Sequence, residues 1–166
     1  MSKSSGVVNI VFAGLGGQGV LKASDIAADA AFRASFDVKK SELHGMSQRG
    51  GSVSSDVRYG REVLSPMVPP GEADFLVVIA ADQVEVNRWQ LRPGGLLITP
   101  SMVNEKSLPN RKAINVALLG ILSTRLDIPE ADWIAAIRSN LAEKLHEANM
   151  VAFQMGRQAA RTEVLP

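Results

Sequence analysis

Near its amino terminus the chain reads Val7-Val8-Asn9-Ile10-Val11-Phe12-Ala13-Gly14-Leu15-Gly16-Gly17-Gln18-Gly19. Residues 7–13 are apolar or β-branched almost without a break, which is typical of a strand buried on both faces of a sheet. The glycine-rich segment ends that strand, and an alanine-rich helical stretch follows over residues 20–34. A strand, a glycine turn and a helix in this order form the first half of a βαβ unit.

Strands and helices alternate along much of the remaining chain. Further strands are predicted over residues 37–40, 52–59, 75–80 and 96–99. Further helices are predicted over residues 82–91, 114–122 and 129–145, with Asp82 as the N-cap of the first of these. This pattern predicts an α/β fold, a single Rossmann-like three-layer domain with a mainly parallel sheet, helices on both faces and C-terminal helices. The domain is expected to span residues 1–166, with tails at 1–6 and 160–166.

The composition excludes several classes of function. A formal net charge of +1 provides no electrostatic attraction to nucleic acid or to an anionic membrane. The chain has no cysteine, so it cannot hold a disulfide or a thiolate-ligated iron–sulfur cluster or zinc ion. The apolar run at residues 7–15 is shorter than the about 20 residues that span a bilayer, and no cleavage pattern follows it. We therefore expect a soluble, cytoplasmic protein without a metal site.

The pattern Gly14-x-Gly16-x-x-Gly19 lies between a predicted strand and a predicted helix. Glycines there permit a tight turn and let backbone N–H groups approach a phosphate, while the helix amino terminus supplies partial positive charge. A dinucleotide site also needs an acidic residue at the end of the second strand, to bind the ribose. Lys39-Lys40 stands there instead, with Glu42 two residues late. Close packing of strand against helix, another ligand or partner site, and NAD or FAD binding all remain open.

A second candidate segment reads Ser41-Glu42-Leu43-His44-Gly45-Met46-Ser47-Gln48-Arg49-Gly50-Gly51. It is polar and rich in turn residues, and loops of this kind often carry function. Arg49 offers a forked guanidinium group to a carboxylate or phosphate. His44 is a candidate base, although the sequence places no second histidine near it to complete a metal site or a catalytic triad. A solvated polar turn is the alternative interpretation.

Taken together, the two segments resemble the γ-type domain of 2-oxoacid:ferredoxin oxidoreductases. The matching residues are Gly14-Leu15-Gly16-Gly17-Gln18-Gly19-Val20-Leu21 and the second segment continued through Ser52-Val53. The form His-Gly-Met-x-Gln-Arg-Gly-Gly is most similar to the small (beta) subunit of indolepyruvate:ferredoxin oxidoreductase. The resemblance runs from about Asn9 to Gly156 and includes Ser65-Pro66, Gly71-x-Ala73-Asp74, Leu91-x-Pro93-Gly94-Gly95 and Asn115-Val116-Ala117-Leu118-Leu119-Gly120.

This resemblance implies a subunit of an enzyme that oxidatively decarboxylates a 2-oxo acid, transfers the acyl group to coenzyme A and passes two electrons to ferredoxin. It implies that thiamine diphosphate, magnesium and the [4Fe–4S] clusters belong to the large (alpha) partner subunit, with coenzyme A as co-substrate. The present chain would then bind no cofactor by itself and be inactive alone. We expect a hetero-oligomer that meets ferredoxin only indirectly, and dimer formation by the isolated chain remains open.

The resemblance also assigns the residues that face substrate, coenzyme A or the partner, namely Gly16, Gly17, Gln18, Gly19, His44, Ser47, Gln48, Arg49, Gly50 and Gly51. His44 and Arg49 are the catalytic candidates, and Arg49 is the best candidate for binding an anionic substrate or a coenzyme A phosphate. A stand-alone Rossmann-type module that binds NAD or FAD is one alternative function. A scaffold whose loops only bury interface area is another.

Overall fold

The computed structural model of the chain describes residues 6–44 and 51–162. It contains one five-stranded sheet in the order β2-β3-β1-β4-β5. The strands are β1 (Val7–Leu15), β2 (Asp37–His44), β3 (Ser52–Gly60), β4 (Ala73–Val78) and β5 (Leu91–Ile98). β4 is parallel to β1 and to β5, whereas β3 is antiparallel to β1 and to β2. Four strands therefore point one way and β3 points the other, which confirms the predicted single, mainly parallel sheet.

The longer helices all pack on one face of the sheet. They are α1 (Val20–Arg33), α3 (Ile114–Ser123), α4 (Glu130–Asn140) and α5 (His146–Thr162). Their buried side chains join one large hydrophobic cluster with sheet residues such as Ile10, Phe12 and Val77. The C-terminal helices are therefore confirmed, and α5 runs two residues past Ala160, where the sequence suggests a tail.

The opposite face of the sheet, which we call the second face, has a thinner cover. A small cluster of Val11, Ala13, Ala73, Leu76 and Val78 packs there against Val68, Val84, Leu91 and Leu97. Val84 belongs to α2 (Val84–Asn87), a helix of four residues, and Val68 lies in the connection between β3 and β4. The third layer expected from the sequence is thus built from a loop and a single helical turn.

Two local expectations are wrong. Residues 41–44 belong to β2 and not to a loop, because β3 supplies a paired backbone from Ser41↔Asp56 to His44↔Val53. The segment is polar because β2 is an edge strand with solvent beside it. Asp82 lies inside a 3₁₀ turn, Ala81–Gln83, and caps no helix with its side chain.

Residues further along the chain also depart from the predicted elements. β5 begins at Leu91 and includes Pro93, because an edge strand can accept a proline whose missing N–H faces away from the ladder. The helix predicted over residues 129–145 is divided, since α4 ends at Asn140 and Leu141 is extended. No helix within residues 6–44 and 51–162 is both long and apolar enough to cross a bilayer.

The two glycines Gly120 and Gly156 allow α3 and α5 to cross in backbone contact. A Cβ atom added at Gly156 would overlap the carbonyl oxygen of Ala117, and one at Gly120 would overlap that of Phe153. Both obstacles are backbone atoms, which cannot move aside as a flexible side chain does. This crossing holds α5 against the core on the helix-covered face.

We expect Gly156→Ala to lower the free energy of unfolding by about 1–3 kcal/mol or more, because the added methyl group forces the two helices apart. Gln158→Ala, an exposed substitution two residues further along α5, is the control and should change it by about 0.5 kcal/mol at most. Urea titration followed by circular dichroism measures both. Equal stability of the two variants would show that α3 and α5 are not in close contact.

Candidate functional site

The two segments singled out in the sequence meet at one edge of the sheet. β1, β2, β4 and β5 all end at this edge, and β3 begins there, because β3 runs against the other strands. The register places Leu15 opposite Ser52 and His44 opposite Val53. The glycine loop that follows β1, the end of β2 and the start of β3 therefore lie at one edge, the edge where open α/β sheets bind their ligands.

A backbone hydrogen bond joins the two segments directly. The N–H of Gly16 donates to the carbonyl oxygen of Gly51 over 2.8 Å. The backbone of His44 ends β2 at the same edge, one strand further out. Ser47, Gln48, Arg49 and Gly50 lie outside the described residues, as does the side chain of His44, so their roles stay predictions.

The glycine loop is held in shape by contacts within the chain. Gly17 and Gly19 have φ angles of 86° and 81°, in the left-handed region that side chains disfavour. The Oε1 atom of Gln18 accepts a hydrogen bond from the N–H of Leu15 over 2.8 Å. Gln18 is half-buried, and this oxygen closes the turn that precedes α1.

Asn115 is a residue of the site to which the sequence assigns no role. It is buried at the start of α3, and its Nδ2 atom donates to the carbonyl oxygen of Gly19 over 3.1 Å. A Cβ atom at Gly19 would lie 2.5 Å from that same Nδ2 atom, so the third glycine makes room for Asn115. The sequence signal for Asn115 is that it is a lone polar residue in the apolar stripe of residues 114–122.

The strand order does not favour a dinucleotide site. In dinucleotide-binding folds the second strand lies beside the first, and the residue at its end reaches the ribose. Here β3 lies between β1 and β2, which moves the end of β2 to about 10 Å from β1, given strand spacings of about 4.8 Å.

Glu42, the acidic residue nearest to the position that would bind a ribose, already forms an ion pair with Lys40. Lys40 forms ion pairs with Asp25 over 2.8 Å and with Glu42. Burial works to lower the pKa of Lys40, but hydrogen bonds and charge interactions with Asp25 and Glu42 outweigh it and raise the pKa above its usual value. The Glu42 carboxylate thus pairs with Lys40 and does not point toward the glycine loop.

A cavity of about 510 Å³ opens beside the glycine loop. It lies between the ends of β1 and β4, and we call it the switch-point cavity because the connections after these strands diverge there. Its lining includes Gly17, Gln18, Gly19, Lys22, Ile79, Glu105, Arg111, Lys112, Ile114 and Asn115. This is the position at which α/β sheets bind small ligands.

Positive charge predominates around the switch-point cavity. Lys22, Arg111 and Lys112 are exposed there against the single acidic residue Glu105. None of the three cations forms an ion pair with a residue in the part of the chain that the structure describes. Together with the amino terminus of α1, they favour an anionic group in the cavity. Sequence reasoning missed them because Lys22 and Arg111 become neighbours only in the fold.

The chain is similar to known proteins in sequence and in structure. A family model described as pyruvate ferredoxin/flavodoxin oxidoreductase matches residues 9–111. The indolepyruvate oxidoreductase subunit IorB of Thermococcus kodakarensis is 33% identical over 195 aligned positions, which cover 92% of this chain and 96% of the relative.

Two solved structures have the same fold. The first is a 2-oxoglutarate:ferredoxin oxidoreductase from Magnetococcus marinus with 2-oxoglutarate, coenzyme A and succinyl-CoA bound, at a TM-score of 0.83 and 20% identity. The match covers 96% of this chain and 32% of that one, so our chain spans about a third of that longer polypeptide. The second is the gamma subunit of a keto/oxoacid ferredoxin oxidoreductase from Geobacter sulfurreducens, at a TM-score of 0.79 and 22% identity. It covers 95% of this chain and 98% of that subunit.

Alanine substitution at the two left-handed glycines should separate backbone strain from steric contact. Gly17→Ala meets open space and should cost only the strain of a left-handed φ, about 1–2 kcal/mol. Gly19→Ala adds the contact with Asn115 and should cost more in chemical denaturation. The double variant Gly19→Ala/Asn115→Ala should be less destabilised than the sum of its parts, by about 0.5 kcal/mol or more. Additive effects would contradict the contact between Asn115 and the glycine loop.

Proposed function

Because this chain belongs to the pyruvate ferredoxin/flavodoxin oxidoreductase family, as the two motifs indicated, we propose that it is the subunit without cofactors in a 2-oxoacid:ferredoxin oxidoreductase. The substrate we propose is indolepyruvate or a related aryl 2-oxo acid, the class for which the curated relative is named. The complex converts the 2-oxo acid, coenzyme A and two oxidised ferredoxins to the acyl-CoA thioester, carbon dioxide, a proton and two reduced ferredoxins. The reaction takes place in the cytoplasm.

The observation that carries this proposal is the junction of the two motifs through Gly16 and Gly51. The junction brings the glycine loop beside Gly51, the last residue of the second segment, at the edge where we propose that both motifs complete the active site of another chain. This chain has no cysteine thiolate for an iron–sulfur cluster, so the clusters belong to a partner. We assign thiamine diphosphate and magnesium to the same partner, where the thiamine supplies the carbanion chemistry of decarboxylation.

The residues of this chain bind and orient anionic groups at the entrance to that site. Lys22, Arg111 and Lys112 give the switch-point cavity the positive charge that the phosphates of coenzyme A require. Arg49 offers two parallel hydrogen bonds to the substrate carboxylate or to a phosphate. We assign His44 and Gln48 a role in contacting the partner, as the resemblance of the second motif implies. The fold does not favour the alternative, a stand-alone NAD or FAD module, because β3 separates β2 from β1.

Purification of the tagged chain from its native host tests the assembly. We expect it to be recovered together with a larger subunit that contains thiamine diphosphate and iron, and with coenzyme A-dependent oxidation of aryl 2-oxo acids. Mass spectrometry, cofactor analysis and a dye-reduction assay measure the three properties. The chain after separation from that subunit should be inactive. Recovery of the chain with bound NAD or flavin and an oxidoreductase activity of its own would contradict the proposal.

Arg49→Ala tests the contribution of the second motif. We expect turnover of the reconstituted complex to fall by more than about tenfold, or about 1.4 kcal/mol of transition-state stabilisation, while the complex still assembles. Arg61→Ala is the matched control, because this exposed arginine follows β3 at the opposite edge of the sheet. It should leave turnover unchanged. Unchanged turnover in Arg49→Ala would favour a scaffold whose loops only bury interface area.

A further inference from the structure

An open groove runs along the second face of the sheet, over β2 and β3. It has a volume of 610 Å³ and is lined by Ser41, Glu42, Leu43, Ser52, Val53, Ser54, Asp56, Met67, Val68, Pro69, Pro70, Val86, Asn87, Trp89 and Gln90. We call it the second-face groove. It lies where no long helix among the described residues covers the sheet. One end of it reaches Ser52 and Val53, beside the edge that carries both motifs.

Large apolar side chains are exposed around this groove. Leu43, Met67, Val86 and Trp89 keep 71%, 63%, 59% and 62% of their surface open to solvent. Only Phe32, Leu64 and Val151 are comparable among the other residues that the structure describes. A patch of exposed apolar side chains rimmed by polar ones marks a protein interface. An exposed tryptophan is the residue type most often found at the energetic centre of such an interface.

The charge of the groove argues against self-association. Among the described residues of the lining, Asp56 is the one charged residue that lies on the groove side of the sheet, because Glu42 alternates to the other face of β2 and pairs there with Lys40. Asp56 accepts a hydrogen bond from the N–H of Val68 over 2.9 Å, and burial raises the pKa of its carboxyl group. A symmetric dimer through this groove would bury the Asp56 carboxyl groups of both copies in one apolar interface, and the described residues of the groove lining supply no cation to pair with them, which is costly. An occupant with a lysine or arginine among apolar side chains would complement Asp56.

We propose that the second-face groove binds the thiamine-bearing partner subunit, through an element that presents apolar side chains and a lysine or arginine toward Asp56. This inference rests on the proposed function, which supplies the partner. It is supported by the exposed Trp89 and its apolar neighbours, by Asp56 in the lining, and by the continuity of the groove with the edge of the sheet that carries Gly51. The partner would cover the groove and also reach the neighbouring edge that carries Gly16 and Gly51.

The test compares glutamate substitutions of two aromatic residues that are both largely exposed, Trp89 at 62% and Phe32 at 71%. Trp89→Glu puts a charge into the groove, and Phe32→Glu, at a residue 71% exposed near the end of α1, puts one on the opposite side of the sheet. Each tagged variant is co-expressed with the thiamine-bearing subunit found with the wild-type chain. We expect Trp89→Glu to lower recovery of that subunit by about tenfold or more, and Phe32→Glu to retain it. Val86→Glu replaces Trp89→Glu if circular dichroism shows a folding defect.

Each outcome has a distinct meaning. Equal recovery of the partner by both variants would overturn the groove assignment and leave the proposed function standing. Failure of the wild-type chain to capture any thiamine-bearing subunit would overturn both. A wild-type dimer that Trp89→Glu dissociates would make a second copy the occupant and overturn the proposal.

A spectroscopic readout locates the interface without substitution. Trp89 and the fully buried Trp133 are the two tryptophans of the chain, so 5-fluorotryptophan labelling gives two fluorine resonances. Addition of the unlabelled partner should shift the Trp89 resonance and leave that of Trp133 in place. A complex in which the Trp89 resonance does not move would contradict the proposal.

Discussion

The site depends on the position of β3, which lies antiparallel between β1 and β2. This position brings the start of β3 next to the end of β1, so that the N–H of Gly16 can donate to the carbonyl oxygen of Gly51. It also moves the end of β2 away from the glycine loop, to a distance from which it cannot serve a dinucleotide ribose. This strand order thus leaves no ribose-binding position beside β1. It also brings the glycine loop and Gly51, which are far apart in the sequence, to one edge of the sheet.

The uneven cover of the sheet has a related consequence. Four helices cover one face, and close contact at Gly120 and Gly156 fixes the last of them. Within the described residues the other face is covered by a loop and α2, which leaves Trp89 and its apolar neighbours in solvent. Since the edge with the motifs and this open face adjoin, a single partner can cover both. The helix-covered face thus contains most of the hydrophobic core, and the partner contact that we propose lies on the other face.

Much of the fold was predictable from local patterns. Residues 7–15 and 20–33 have the apolar run and the helical period that define β1 and α1. The place of β3 was not predictable, because it depends on pairing with strands at both sides and not on its own sequence. The grouping of Lys22 with Arg111 was missed because these residues are far apart in the sequence and come together only in the fold. The prediction that Asp82 caps a helix was wrong. Aspartate is a good N-cap residue and follows a strand here, but the backbone after that strand forms a 3₁₀ turn and a helix of only four residues.

The central claim is that this chain supplies an edge and positive charge to chemistry in another chain. A cryo-EM structure of the assembled complex with thiamine diphosphate bound tests it most directly. The account predicts that the edge carrying Gly16 and Gly51 faces the partner's thiamine site, with the cations of the switch-point cavity at its entrance. A complex in which that edge points to solvent, on the side remote from the thiamine, would contradict it.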